Sequence, residues 1–572
     1  LGRLNMFPGD DPSIAGYRAS AATARFSRLV AARLYGPHRP FGYAYGGSGG
    51  AFKTISGVEN TRGVWDGSVP FVQGSPQSMP NVFTVQAHAM RILQGKFPGI
   101  VDAIEPGGSG DMYAGLNDEE RDALQEVTRM GFPPRAWYAH QRIAFGYTGV
   151  FSTLIDNLLK WDPTYVSDFW SKPGYLGAAP PASLTAARVH HETTISAVIL
   201  SDEAAALGLP LPITVQQAGT DVIVPAALRL AALPAGDLRG AGLKLTSGAA
   251  AGSTFYIIGV AGDLVIVGFG EANIQALASV AANDSIELDN AAYLASQTYH
   301  RHQLPGPDYP VWDQFLAPDG TPRYPQRAEL LGPKYAFDGA GSLQSGHFDG
   351  KMIVVETLMD EAAYPWQADW YHTKVQAALG GAIDDQYRLY FIDHAMHTGL
   401  PANDDVAKPA SATRMVVYTG VYQQALRDVS AWVEQGIIPP AGTRYQVVDG
   451  QVEVPPTAAE RRGVQPVVSL TVAGGARADV AVGDEVELSG SAEVPDGAGL
   501  IVAAEWDFEG VGDYPLKSPV TPSTQLALSA KHTFSAPGTY FPVLRVTLQR
   551  EGDASTPYTR ILNIARVRVV VE

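Results

Sequence analysis

The sequence predicts an α/β chain interrupted by a large insertion and followed by a separate all-β segment. Continuous apolar runs at Lys351–Val355 and Tyr387–Ile392, with shorter ones at Phe41–Tyr45 and Ser68–Val72, read as strands buried on both faces. From about residue 181 to 300 the pattern changes to short β-type runs split by Gly, Asp and Pro. Residues 441–465 have linker composition, and 466–572 again read as strands.

At 572 residues the chain exceeds one hydrophobic core, so two to four domains are expected. Hydrophobic residues at 46% and charged residues at 17% give ordinary globular composition rather than disorder. A net charge of −17 disfavours nucleic acid or anionic membrane as partners, because polyanions need a basic face. The absence of cysteine excludes disulfides, thiolate zinc sites and a cysteine nucleophile. No apolar run reaches the ~18 residues needed to span a membrane. The chain starts at Leu1 rather than Met, so the expectation is a processed or truncated start that has lost an export signal.

Asp11-Pro12 is a strong helix opening, an N-cap followed by proline at the first helical position. Ala22, Phe26, Leu29 and Val30 then recur at helical spacing, and Gly36-Pro37 stops the helix. The strand Phe41–Tyr45 leads into Gly46–Gly50 and a second helix from Ala51. Residues 77–180 are helix-rich; within 181–300, Ile213–Val215, Val222–Val224, Leu243–Leu245, Phe255–Ile258 and Leu264–Val267 suggest a small β-barrel or sandwich. Val421–Gly436 is a closing helix.

Gly46-Gly47-Ser48-Gly49-Gly50 fits G-x-S-x-G and lies between a predicted strand and a predicted helix. That context makes Ser48 a nucleophile candidate, since the elbow must hold its serine in a strained turn above the sheet edge. The N–H of Gly49 would face the developing oxyanion. Gly107–Gly110 is similar in composition but has no strand before it. In an α/β-hydrolase the order is serine, acid, histidine, with acid and base each following a buried strand. Asp360 follows 351–356, and Glu356 and Glu361 are alternatives for the acid. His397 follows 387–392 and is preferred over His394, which lies closer to the strand end.

With these residues the chain resembles the tannase and feruloyl esterase family. Ser48, the stretch Trp65–Pro76, Thr357–Asp360 with the helix to Val375, Phe391–His397 and the helix Ala425–Gly436 carry the resemblance. It implies an α/β-hydrolase core over roughly 13–76 and 345–440, a large lid between Ser48 and Asp360, and hydrolysis of an ester without a cofactor. The family carries a cysteine just before the serine and another just after the histidine, joined as a disulfide; here Gly47 and Thr398 stand at those positions. Tannin and ferulate substrates are therefore not carried over. The fold also normally has four strands before those found here, one of whose loops supplies a second oxyanion donor. The expectation is thus a core lacking its N-terminal strands, completed by a preceding segment or a second chain.

At the C-terminus, Ala504–Gly510 and His532–Tyr540 resemble the polycystic-kidney-disease (PKD) repeat, with Trp506 and Phe508 pointing inward and Pro537-Gly538 turning into the next strand. The resemblance implies an extracellular spacer or weak binder, and hence a secreted or cell-surface protein. The expected division is 1–76 for the first part of the core, 77–180 for a helical lid and 181–300 for a β-rich insertion. The core returns over 301–440, followed by the linker 441–465 and a PKD-like sandwich over 466–572.

His190-His191-Glu192 and His300-Arg301-His302 were weighed as metal ligands and read as solvated loop histidines, so no metal is expected. Trp161, Trp170, Tyr175 and Trp312 read as lid core rather than acyl-pocket walls. The leading function is cleavage of a small-molecule or polymeric carboxylic ester by Ser48, His397 and Asp360 through an acyl-enzyme. A peptidase or amidase on the same residues, and a non-catalytic surface binding protein, remain the alternatives.

Overall fold

A computed structural model describes residues 11–209, 223–268, 274–398 and 411–572. In chain order it holds helix α1 (Ala19–Tyr35), β1 (Tyr43–Gly47), α2 (Gly49–Asn60) and β2 (Gly67–Phe71). A helical stretch follows, including α3 (Phe83–Ile92) and α4 (Asp118–Arg129). Next come β3 (His190–Leu200), β4 (Pro225–Leu230), β5 (Gly242–Leu245), β6 (Thr254–Ala261), β7 (Leu264–Gly268) and β8 (Ser285–Asp289). The chain then returns through β9 (Lys351–Thr357), α5 (Trp366–Leu379), β10 (Tyr387–Ile392) and α6 (Thr419–Gln435). Among the described residues no helix is long and apolar enough to cross a membrane.

The site is built on a four-stranded, all-parallel sheet in the order β1-β2-β9-β10. The runs in β9 and β10 are continuous because both faces are covered. Met352, Val354, Leu389 and Phe391 join one core with the helical stretch, while Ile353, Val355, Tyr390 and Ile392 join another with α6. Residues 190–289 close into a barrel of order β3-β4-β7-β6-β5-β8 around Leu228, Leu243, Phe255 and Val265. The expected strand at Ile213–Val215, and Val222, lie outside the described residues.

Asp11 caps the first helix as expected, its carboxylate accepting the Ser13 N–H at 3.0 Å. The apolar face of α1 does not become core. Phe26, Leu29 and Leu34 are exposed, as are Phe41 just before β1 and Tyr45 within it; β1 pairs only with β2 among the described residues.

Residues 441–465 have linker composition but do not hang free. Thr443 runs beside β10, its N–H donating to Leu389 O at 2.8 Å and its hydroxyl accepting the Phe391 N–H at 3.0 Å. The strands after 466 form separate sheets around buried Trp506 and Phe534. The turn after Trp506 is closed by Asp507, which accepts the N–H of Gly510 (2.9 Å) and Gly512 (2.7 Å). These sheets pack onto the rest of the chain. Val543, Leu548, Ile561 and Ile564 share one core with β9, β10 and α6, and Arg566 and Arg568 bind Glu105 and the Pro106 carbonyl. The reason is geometric: the lower face of the sheet needs a cover, and this segment provides part of it.

Ile564 is fully buried in that shared core, so Ile564→Ala should cost about 2–5 kcal/mol. Denaturation followed by circular dichroism should show one lowered transition that reports both the helical and the β-rich parts. Loss of the C-terminal strands alone, with the helical signal melting as before, would contradict the shared core.

Candidate active site

β1 runs into the glycine-rich turn, and Ser48 sits there with φ 56° and ψ −122°, a conformation that side-chain-bearing residues rarely adopt. The turn is held from both sides. The Ser48 N–H donates to Phe71 O at 3.1 Å, and the Ser48 carbonyl accepts from Ala51 (2.9 Å) and Phe52 (3.3 Å). A β-carbon at Gly46 would lie 2.6 Å from Gly50 O, whereas one at Gly50 would meet nothing within 4 Å. Gly49 begins α2, so its N–H falls outside the helical ladder. The Ser48 side chain lies in an exposed position.

All three strands that carry candidate residues are parallel, so their C-terminal ends lie on one edge of the sheet. Past β9, Asp360 is fully buried. Its Oδ1 accepts the N–H of Ala362 (2.9 Å) and Ala363 (2.5 Å). Past β10, His397 Nδ1 lies 2.8 Å from Asp360 Oδ2 and 3.0 Å from Oδ1. The carboxylate therefore fixes the tautomer with the proton on Nδ1, leaving Nε2 as the basic nitrogen.

Tyr418 links this pair to the serine turn. Its hydroxyl donates to the His397 carbonyl at 2.8 Å, and its ring meets Phe71 edge-on at 6.2 Å. Phe71 also stacks on Tyr422 at 4.9 Å. Among the described residues, no hydrogen bond joins the Ser48 hydroxyl to His397. Asp360 and His397 are thus brought into direct contact, and Ser48 shares their edge of the sheet.

Two further acids crowd the site. Glu356 accepts the N–H of Gln73 at 3.0 Å, and Glu361 accepts the His397 N–H at 3.0 Å. Burial, then the Asp360 charge, pushes Glu356 well above the usual carboxylate range; the same two causes raise Glu361. At His397 burial opposes the imidazolium, but Asp360 and then Glu361 outweigh it, and the net shift is upward.

The other histidines are engaged elsewhere. His394 Nδ1 meets Asn563 Oδ1 at 2.9 Å, and His372 packs on Tyr387. His300 and His302 are buried, bound to Glu126 (2.8 Å) and to the Pro325 carbonyl (2.6 Å), rather than solvated as expected. His190, Glu287 and Asp289 do bring three ligand-type atoms within 4.8 Å of one another. Asp289 already holds Arg188 at 2.6 Å, however. Tyr175 and Trp312 are core, and Trp161 and Trp170 pack against core. Sequence reasoning missed Tyr418 and Phe71 as supports. Their only signal was position: Phe71 ends the strand beside the elbow, and Tyr418 precedes α6.

Gly47 shows why a cysteine would not fit there. Its φ is not positive, but a β-carbon would come within 2.2 Å of the Phe71 ring. The aromatic side chain occupies that space.

No family model matches the chain, and no curated protein matches it. Solved structures do. Feruloyl esterase B from Aspergillus oryzae is 12% identical, covering 77% of this chain and 69% of that one, with a TM-score of 0.26. Tannin acyl hydrolase from Aspergillus niger is 13% identical, covering 79% and 67%, with a TM-score of 0.28. A CARDB domain from Pyrococcus furiosus, determined with two metal ions, is 16% identical over 19% of this chain and 92% of its own, with a TM-score of 0.14.

The turn generates a paired expectation. Gly47→Ala should destabilise by about 1–3 kcal/mol because the stacked Phe71 ring must move. Gly50→Ala should be neutral or stabilising by up to about 1 kcal/mol, since it fills open space in a helix. Urea titration of both variants checks this, and equal effects would show that Phe71 does not set the space at 47.

Proposed function

We propose that this chain is a secreted serine hydrolase that cleaves a carboxylic ester. The observation that carries the reading is the Asp360 carboxylate on His397 Nδ1, past the ends of parallel strands whose neighbour leads into the strained Ser48. Ser48 Oγ attacks the acyl carbon while His397 Nε2 takes its proton. The resulting oxyanion is received by the Gly49 N–H. The proton passes to the departing alcohol, and water repeats the cycle on the acyl-enzyme to release the acid. Asp360, on Nδ1, orients the ring and steadies the imidazolium.

In this reading residues 77–180 and 181–300 act as a lid, and 466–572 is a PKD-like module fused to the core. A second reading, a non-catalytic surface protein with a hydrolase fold, draws on the missing hydrogen bond between Ser48 and His397. A panel of p-nitrophenyl esters of graded chain length, run beside peptide substrates, separates the readings. Ester turnover supports the first, peptide cleavage makes the chain a peptidase, and neither, together with no labelling of Ser48 by a fluorophosphonate, favours the binding protein.

Ser48→Ala and Asp360→Asn should each lower kcat/KM by about 10^4-fold or more, with the melting temperature little changed for Ser48→Ala. Undiminished turnover in Ser48→Ala would end the proposal.

The raised His397 pKa predicts that the acid limb of the kcat/KM profile lies above the ordinary histidine value of about 6.5. The same shift contributes stability that is complete below about 6.5 and is lost as pH rises through the folded-state value. A profile whose acid limb falls below 6.5 would show that burial outweighs the Asp360 and Glu361 contacts at His397.

A further inference from the structure

A cavity of about 50 Å³ lies between α3 and the segments around 237–239 and 290–297, away from Ser48. Phe83, Met90 and Leu294 give it apolar walls, and Arg91, Arg239 and Gln297 give it polar ones. Arg239 is matched by Asp237, which it grips through Nε at 2.9 and 3.0 Å.

Arg91 has no such match. Its Nε donates to Gln297 Oε1 at 2.8 Å, and its other nitrogens reach Ser183 Oγ and His88 Nδ1 at 3.5 Å. No carboxylate contacts it among the described residues. Glu119 stands one hydroxyl away, accepting from Ser183 at 2.5 Å. The other carboxylate of this network, Glu126, is taken up by Arg301 (3.1 and 3.0 Å) and His300 (2.8 Å). His88, between the two arginines, adds no negative charge; burial and then Arg301 hold it neutral. Gln297 is 1% exposed, and its Nε2 is buried with no acceptor in good hydrogen-bond geometry, the Tyr293 hydroxyl being the nearby group that faces it. A buried amide donor without a well-placed acceptor and a guanidinium with no carboxylate in direct contact are both costly, and both line the same cavity.

We propose that this cavity binds a short-chain carboxylate, its oxygens taking the Arg91 guanidinium and the Gln297 amide and its alkyl chain lying on Phe83, Met90 and Leu294. A planar two-oxygen anion suits the guanidinium fork, and the apolar walls disfavour a fully hydrated anion such as phosphate. The volume corresponds to roughly three to five waters, at about 10–15 Å³ for each, which admits acetate to butyrate rather than an aromatic acid. The inference goes beyond the proposed esterase and does not rest on it.

The test is calorimetric titration of the full chain carrying Ser48→Ala with acetate, propionate and butyrate at constant ionic strength, with acetamide and inorganic phosphate as comparisons. Saturable carboxylate binding, with none for acetamide, is expected. Arg91→Gln should weaken it roughly tenfold or more, and Gln297→Leu should weaken it to a smaller extent. If Arg91→Gln does not fold, Gln297→Leu and the acetate–acetamide comparison carry the test. No saturable carboxylate binding, equal binding of acetamide, tighter binding of phosphate, or unchanged affinity in the folded variants would overturn the proposal. Loss of ester turnover in the parent chain would leave this result untouched, so the two readings fail separately.

Discussion

The geometry at the ends of β9 and β10 depends on keeping one negative charge against the His397 ring where three acidic side chains meet. Two unit charges 4 Å apart repel by about 4 kcal/mol even at an effective dielectric of 20, so Glu356, Asp360 and Glu361 cannot all ionise without cost. The surroundings of the three differ. Asp360 receives two backbone N–H groups and the imidazole, while burial and the Asp360 charge drive Glu356 and Glu361 toward their neutral forms. Glu361 still accepts the His397 N–H. It therefore holds the loop in place without needing the charge that would compete with Asp360.

The position of that loop is set by parts of the chain far apart in sequence. Arg135 pairs with Asp393 at 2.5 Å, and Asn563 meets His394 at 2.9 Å. Gln465 Nε2 bridges Asp393 O at 3.0 Å and Leu562 O at 2.9 Å. An ion pair whose arginine is this exposed adds little net stability, because solvent screens the attraction. The effect of these contacts is positional: they fix where β10 releases the chain, and so where the imidazole points. The C-terminal strands thereby act on the site through the loop.

Much of this was legible in the sequence where one local rule suffices. The runs at 351–355 and 387–392 announced strands buried on both faces, and G-x-S-x-G between strand and helix marked the turn at Ser48. The choice of His397 over His394 rested on its distance from the strand end; in the fold His397 lies against Asp360 and His394 against Asn563. What was not legible depended on contacts between distant segments. The apolar face of α1 has a core-like pattern, yet it lies exposed because periodicity says only that a face is apolar, not what will cover it. Residues 441–465 looked like linker because Pro and Gly are frequent, but Thr443 completes hydrogen bonds along β10 that composition cannot foretell. His300 and His302 looked solvated in isolation; only the fold brings Glu126 and Pro325 to them.

The serine turn raises one further physical question, namely what restrains it. A residue at φ 56° tends to relax unless its neighbours hold it. A covalent link between the turn and the histidine loop would do so by closing a long loop, at about 2–4 kcal/mol, but the chain has no cysteine. An aromatic chain occupies that role in space. Phe71 accepts the Ser48 N–H through its carbonyl, fills the volume above Gly47, stacks on Tyr422 and meets Tyr418, which holds the His397 carbonyl. Each aromatic pair contributes about 0.5–1.5 kcal/mol beyond its buried area, so the two pairs together reach the scale of a cross-link. Unlike a covalent link, this restraint exists only in the folded chain, and any change that thins the stack should loosen the turn and the histidine loop together.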